Sequence, residues 1–372
     1  GKSIEHLSDD TVIYVAGRHV AAFSVDNPQH RFIIKNQRTE EIVTFCVSAN
    51  KKYIALAERM VADSAMQVNV YTQQTGSKVR SLEFKYLSKL PVVSMCFSTD
   101  NKHLVTVTSL PDVYIYLWQV DKSRLVGMID VPFEISRITI SPWAHWSLCS
   151  TGPSSLKVWR LVEKQLKPVD VLPKRGSGPS GPGGASSTAM VSGSASGGVG
   201  SAGGGANSSF NFRFSCHCWY DDEKIAAGTM DGDVLVVENN ETKRVMRAVL
   251  GDGIAVTAVV PTSRGILVGG DNGFIGILER TTDEGMYFRV HVRFSLGSTV
   301  ARVIDVSLSP KEDSAVAVTA DNNLCLISLD AMEVTSASAV KQQIAGGASS
   351  AAAADAGGNA NAALLSCATM LS

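Results

Sequence analysis

The sequence predicts an all-β protein, a seven-bladed β-propeller interrupted by two low-complexity insertions. Three observations predict it. A strand–turn–strand–turn–strand pattern recurs every 40 to 50 residues or so, the spacing at which repeats signal propeller blades. The two turns of each unit carry different and recurring chemistries. No convincing amphipathic helical period interrupts the pattern. A single unit exposes an apolar face and must stack on neighbours to bury it.

One copy shows the elements in order. Phe214-Ser215-Cys216-His217-Cys218-Trp219 is an apolar first strand, and Tyr220-Asp221-Asp222-Glu223-Lys224 a polar turn. Ile225 to Gly228 is the second strand, Met230-Asp231-Gly232 a tight turn, and Asp233 to Glu238 the third strand. The first turn is the clearest landmark of each unit. It reads Ser8-Asp9-Asp10, Ser48 to Lys52, Ser98 to Lys102, Ser141 to His145, Tyr220 to Lys224, Pro261 to Gly265 and Ser309 to Asp313. Ser, Asp, Asn, Gly and Pro stabilise turns through side-chain hydrogen bonds or preset backbone angles. The second turn is sharpest at Asp231-Gly232, Asp271-Asn272-Gly273 and Asp321-Asn322-Asn323, where Gly and Asn tolerate positive φ. Third strands alternate, as in Tyr114-Ile115-Tyr116-Leu117-Trp118. First strands run continuously apolar, as in Val92 to Phe97, which fits strands covered on both faces.

Two segments fall outside the repeat. Residues 176–209 are nearly all Gly, Ser, Ala, Pro and Asn, and residues 331–362 shift to Ala, Ser and Gly. Neither holds enough large apolar residues to offset the entropy of ordering, so both are expected to be flexible. The remaining roughly 306 residues divide into seven units of about 44 each. The blades are expected near 2–35, 42–84, 91–130, 134–172, 210–250, 255–295 and 301–370. In the last blade the second insertion is expected between third and fourth strands, with Leu364 to Met370 as the fourth. First and last blades each read as self-contained, so the sequence alone does not show how the ring is locked.

Composition narrows the function. With 34 basic and 35 acidic residues the net charge is −1, which lacks the basic footprint of a nucleic-acid binder. No apolar run of about 18 residues reads as a membrane span. The first residues, Gly1 to His6, carry no signal-peptide core and no initiator Met, the expected look of a piece of a longer chain. Seven scattered Cys argue for a reducing compartment rather than a disulfide framework.

No constellation points to catalysis. Cys216-His217-Cys218 suggests metal, but alternate strand residues point to opposite faces and no second ligand pair follows at zinc spacing. The Gly-rich segment lacks the Gly-Lys-Ser/Thr of a phosphate loop. A propeller glycosidase would need an acid pair at the channel, whereas Asp112, Asp231, Asp271 and Asp321 fall at turns. No cofactor or metal site is therefore expected. Trp118 and Trp159 end third strands of successive blades, where packing between blades takes a large ring.

Trp118 and Trp159 occupy the place of the WD-repeat tryptophan, and the Asp231, Asp271 and Asp321 turns that of its hairpin. No unit carries both the Gly-His and the Trp-Asp dipeptides. The wording of Thr11 to Gly17, Tyr53 to Glu58, Cys216 to Trp219 and Gly228 to Gly232 resembles the ciliary axoneme WD-repeat proteins. The likeness covers all seven blades. It implies a non-catalytic scaffold of motile cilia, cytoplasmic and cytoskeletal, that docks and regulates inner dynein arms on doublet microtubules beside neighbouring axonemal proteins. It also implies a second propeller and a coiled coil outside this chain, through which the full-length protein would oligomerise. The family offers no catalytic residues.

The partner-binding face is expected at the second turns, from Glu58 to Ala65, Ser109 to Asp112 and Met230 to Gly232, with Arg59, Asp112, Asp231 and Asp271 as candidates; Gly232 and Gly273 are structural. The alternatives are a propeller adaptor of another complex, such as a ubiquitin-ligase receptor or a transport coat, and a propeller hydrolase. Acidic side chains converging on the channel would mark the hydrolase.

Overall fold

The computed structural model of the chain describes residues 2–25, 30–35, 37–84, 89–144, 146–162, 165–171, 212–283, 285–297, 301–331 and 333–339. They form seven four-stranded antiparallel sheets, each a simple meander in chain order. Blade 1 holds β1 (Ile4–His6), β2 (Thr11–Ala16), β3 (His19–Ser24) and β4 (His30–Lys35). In blade 2 are β5 (Thr39–Val47), β6 (Tyr53–Met60), β7 (Met66–Thr72) and β8 (Lys78–Glu83). Blade 3 follows with β9 (Val92–Phe97), β10 (His103–Thr108), β11 (Val113–Gln119) and β12 (Arg124–Val131). Next come β13 (Arg137–Ile140), β14 (Ser147–Gly152), β15 (Ser155–Val162) and β16 (Gln165–Asp170) of blade 4. Blade 5 is built from β17 (Phe214–Asp221), β18 (Lys224–Thr229), β19 (Val234–Glu238) and β20 (Glu241–Met246). Blade 6 has β21 (Val256–Pro261), β22 (Gly265–Gly270), β23 (Phe274–Arg280) and β24 (Phe288–Ser295). Blade 7 ends the ring with β25 (Val303–Leu308), β26 (Ser314–Thr319), β27 (Asn323–Ser328) and β28 (Glu333–Ala339). The chain is a seven-bladed propeller, and among the described residues no helix is long and apolar enough to cross a membrane.

The first turn is specified locally. In blades 2, 3 and 7 a serine ends the first strand: Ser48, Ser98 and Ser309. Its carbonyl accepts from the amide three residues on, at 2.8, 2.9 and 3.0 Å. Its hydroxyl accepts from the amide five residues on, at 2.9, 2.9 and 3.2 Å. The residue three on, Lys51, Asn101 or Glu312, takes a left-handed φ of 58°, 60° or 60°. One serine thus satisfies two backbone amides across the turn. The second turn uses Gly232 at φ 88°, Gly273 at 75° and Asn322 at 63°.

The core lies in the seams. Each apolar cluster joins neighbouring blades: Val70, Met95 and Trp118 between blades 2 and 3, and Ile115, Ile138 and Trp159 between blades 3 and 4. Cys149, Phe214 and Trp219 fill the next seam, Val236, Val256 and Val268 the fifth, and Leu267, Val303 and Ala317 the sixth. The ring closes with Ile4, Val12 and Tyr14 of blade 1 against Val316 and Leu324 of blade 7. Each fully buried Val, Leu, Ile, Phe or Met among them contributes about 1.5–3 kcal/mol by burial.

The closure seam adds directional bonds instead of a shared strand. Ser3 N–H donates to Asp305 Oδ2 at 3.0 Å, His6 N–H to Ser307 Oγ at 2.8 Å, and Lys311 N–H to Asp9 Oδ1 at 3.0 Å.

The structure corrects the expected end of the last blade. Its fourth strand is β28, paired with β27 from Asn323–Ala339 to Ser328–Glu333, inside the stretch read as the 331–362 insertion. An outer strand is held by backbone bonds along one edge, so a small polar sequence suffices. Leu364 to Met370 and the 176–209 insertion lie outside the described residues.

Candidate interaction surfaces and the channel mouth

The antiparallel meander puts the first turns of all blades on one face of the disc. The second turns, with the linkers between blades, lie on the other. The first face is joined at every seam. Lys51 Nζ donates to Glu5 Oε1 at 2.5 Å, Asn50 N–H to Asn101 Oδ1 at 3.3 Å, and the rings of His103 and Trp146 sit 4.8 Å apart. Arg160 meets Glu223 at 2.7 Å, and Arg280 pairs with Asp221 at 3.5 Å while donating to Tyr220 O. Ser263 N–H donates to both Glu312 oxygens, at 2.9 and 2.8 Å, and Lys311 to Asp9 completes the circuit.

On the second face, the second turns are tied instead to the segments entering their own blades. Met230 N–H donates to Arg213 O at 2.7 Å, Asp271 N–H to Ala255 O at 3.1 Å, and Ala320 N–H to Arg302 O at 2.8 Å. Turn tips remain exposed, and Asp112, Asp231, Asp271 and Asp321 stand there. Asp231 pairs with Arg213 at 3.2 Å, and Asp321 accepts from Asn323 Nδ2 at 2.7 Å. Gly232 and Gly273 hold the left-handed positions beside them.

Glu58 is not part of that exposed face, contrary to the sequence reading, while Arg59 stands half-buried one residue before the end of β6. The turn covers only 61–65, and both residues lie within β6. Arg59 faces Glu41 of β5 at 3.7 Å. Glu58 is fully buried and accepts from Thr39 Oγ1 at 3.0 Å, Tyr71 Oη at 3.0 Å and Asn69 Nδ2. Its carboxyl group staples three strands of blade 2, so its buried oxygens are hydrogen-bonded inside the sheet. A lone acid directly after the apolar run Tyr53 to Ala57 was the sequence signal of this staple.

The two tryptophans pack in the seams, and each hydrogen-bonds within its own blade. Trp118 Nε1 donates to Thr106 Oγ1 at 3.0 Å, and Trp159 Nε1 to Ser150 Oγ at 2.8 Å. Each links a third strand to the hydroxyl of a second strand. The Cys216-His217-Cys218 segment splits as strand geometry requires. The two thiols enter the seam with blade 6, while the His217 ring meets Thr139 Oγ1 at 2.7 Å and Thr151 Oγ1 at 2.9 Å across the seam with blade 4. Burial first, and the Arg137 charge second, hold His217 well below the usual histidine range. Among the described residues no group of three His, Cys, Asp or Glu could hold a metal ion.

The inner strands of blades 1 to 4 surround a cavity of about 350 Å³ that reaches the first face at Ala49, Thr99 and Pro142. Lys2, Glu5 and Arg137 are its charged lining. Glu5 is bridged by Lys2 and Lys51. Although burial opposes ionisation, these two ammonium groups and their hydrogen bonds bring its pKa down to about 2.

Comparison with known proteins adds family context to this geometry. No protein-family model matches the chain. Mouse cilia- and flagella-associated protein 57 is 20% identical over 240 residues, 64% of this chain and 16% of that protein. Cilia- and flagella-associated protein 43 of Xenopus laevis is 22% identical over 46% of this chain and 10% of that protein. The β-propeller domain of Myceliophteria thermophila Cps50 (Swd1) superposes with a TM-score of 0.62 at 12% identity, covering 82% of this chain and 87% of that one. The chain is a seven-bladed β-propeller similar to cilia- and flagella-associated protein 57.

The propeller frame accounts for the third-strand tryptophans and the tight second turns. It does not account for the channel charges or the outer rim, which sequence reading missed. Arg137 opens a four-residue strand of ordinary composition, and the rim residues alternate like any edge strand. The matched region spans under a fifth of either curated relative.

Proposed function

We propose that this propeller is a non-catalytic docking module of the ciliary or flagellar axoneme. It holds neighbouring axonemal proteins, and through them inner dynein arms, on the doublet microtubule. The outer rim of blades 3 and 4 carries the reading. Of eleven large apolar side chains exposed among the described residues, six lie there: Leu125, Val126 and Met128 on β12, Leu161 and Val162 on β15, and Val169 on β16. Such a concentration on two adjacent blades, rather than an even scatter, is what a partner-covered surface looks like. As an outer strand, β12 pairs only with β11 and leaves backbone donors and acceptors along its other edge. The relatives' names support the ciliary setting. The state of Glu5 supports a non-catalytic channel, because a carboxyl ionised down to about pH 2 is a poor general acid.

The test replaces Leu125 and Met128 together by Lys in the full-length protein. Stability should change by no more than about 0.5 kcal/mol per exposed site. Co-purification with axonemal partners, and inner-arm occupancy in tomograms, should fall. Unchanged retention and occupancy with a correctly folded variant would overturn the reading.

A further inference from the structure

Arg137 begins the innermost strand of blade 4 and lines the channel-mouth cavity. Among the described residues its guanidinium makes no ion pair and no hydrogen bond. The surrounding charges are already engaged. Lys2 and Lys51 share Glu5. Asp305, which also faces Lys2, accepts from Ser3 N–H at 3.0 Å and from Val306 N–H at 3.0 Å. Among the described residues, then, three cations (Lys2, Lys51 and Arg137) face two carboxylates (Glu5 and Asp305). The excess positive charge resides on a rigid fork of five donors, a group whose preferred counterpart is a bidentate oxyanion.

The mouth has a second feature that points outward. Trp143, in the first turn of blade 4, adjoins the lining residue Pro142 and is 52% exposed. Its backbone is held by Ser141 Oγ, which accepts from Trp143 N–H at 3.2 Å and from Ala144 N–H at 3.1 Å. The other hydroxyl near Arg137 is committed: Ser94 Oγ accepts from Ile138 N–H at 3.0 Å. Trp143 stands at the first-face end of blade 4, past the far end of β13 from Arg137, where its indole offers a flat apolar wall to a chain entering the channel from that face.

We propose that the channel mouth is a receptor for an acidic segment of a partner protein. One Asp or Glu side chain inserts along the axis and accepts both hydrogen bonds of the Arg137 fork, and the flanking chain packs on Trp143. About 350 Å³ admits a side chain and its adjoining backbone but no folded element. This surface is separate from the rim of blades 3 and 4, so one disc can hold two partners.

The experiment measures binding of a fluorescein-labelled tetraglutamate peptide, acetylated and amidated at its ends, to the purified 372-residue chain by anisotropy. Arg137→Gln should weaken binding by about tenfold or more, the loss expected for a charge-assisted hydrogen bond, with the melting temperature unchanged. Arg137→Lys keeps the charge without the fork and should weaken it several-fold; it serves equally if the glutamine variant does not fold. Arg244→Gln removes an exposed arginine on the outer strand of blade 5 and should have no effect. Trp143→Phe should abolish any shift in indole emission on binding. The proposal is overturned if the Arg137 and Arg244 variants lose affinity equally, if a folded Arg137 variant binds like the parent, or if tetraglutamine binds as tightly. It is also overturned if inorganic phosphate occupies the site and tetraglutamate fails to displace it.

Discussion

Blades 5 and 6 meet along glycine, cysteine and valine, whereas blades 7 and 1 meet along serine, aspartate and histidine as well as apolar groups. At the first seam a Cβ on Gly228 would strike the side chain of Val256 and lie 2.7 Å from Cys216 Sγ, so the two sheets approach as closely as backbone allows. At the closing seam Ser3, His6 and Lys311 each donate a backbone amide to a side chain some 300 residues away. The difference follows from connectivity. Blades 5 and 6 are delivered to each other by the short linker from Arg247 to Ala255, and close packing suffices to hold them. The terminal blades meet only after a long loop closes. β1 has just three residues and one paired strand, so apolar packing alone would leave its register weakly specified. Side-chain acceptors at Asp305 and Ser307 set that register.

The largest expected effect breaks the tight seam. Gly228→Val should cost about 3 kcal/mol, because an interior already at close packing must shift to admit the branch. Chemical denaturation measures it, and a loss below about 1 kcal/mol would show that the seam relaxes easily.

Acidification should act on the closing seam next. Burial lowers the pKa of His6 from 6.5 to about 4. Between those values the unfolded chain binds a proton that the folded one does not, so stability falls as pH drops from 6.5 towards 4. Glu5, lowered from 4.5 to about 2, loses its contribution in the same direction over that lower window. The His6 component should be on the order of 2 kcal/mol by pH 4. His6→Gln should flatten the stability curve between pH 6.5 and 4, while amide exchange in β21, corrected for intrinsic rates, stays level. A curve of the same slope in the variant would assign the effect elsewhere, His217 being the other buried histidine held neutral.

Ser307→Ala is a smaller intervention at the same seam. It leaves the His6 amide without its acceptor and should cost about 1 kcal/mol. Hydrogen exchange should then quicken at β1 ahead of the other inner strands; uniform quickening would mean that the seam has no local stability of its own. Lys311→Ala should be smallest. Its ammonium pairs with Asp9 at 3.2 Å in solvent, while the backbone bond to Asp9 survives the substitution. No resolvable change in Tm is expected, and a clear drop would show that this surface pair helps to hold the ring.

Much of the blade architecture was legible because its signals are short-range. Ser48, Ser98 and Ser309 announce their turns within five residues, and Gly232, Gly273 and Asn322 mark positions of positive φ. The fourth strand of blade 7 escaped for the opposite reason. Glu333 to Ala339 carries no apolar pattern, and its place comes from the edge that β27 offers. Glu58 was drawn into a turn because a charge reads as exposed until Thr39, Asn69 and Tyr71 are seen around it.

What the sequence determined alone is therefore the repeat, its count and its two turn chemistries, since each depends on residues a few positions apart. The tertiary structure decided which groups meet across seams: that His217 sits neutral between two threonines, that Ser307 anchors β1, and that Arg137 faces the channel with no carboxylate partner among the described residues. Those outcomes depend on side chains tens to hundreds of positions apart, whose burial and electrostatics exist only once the ring has closed.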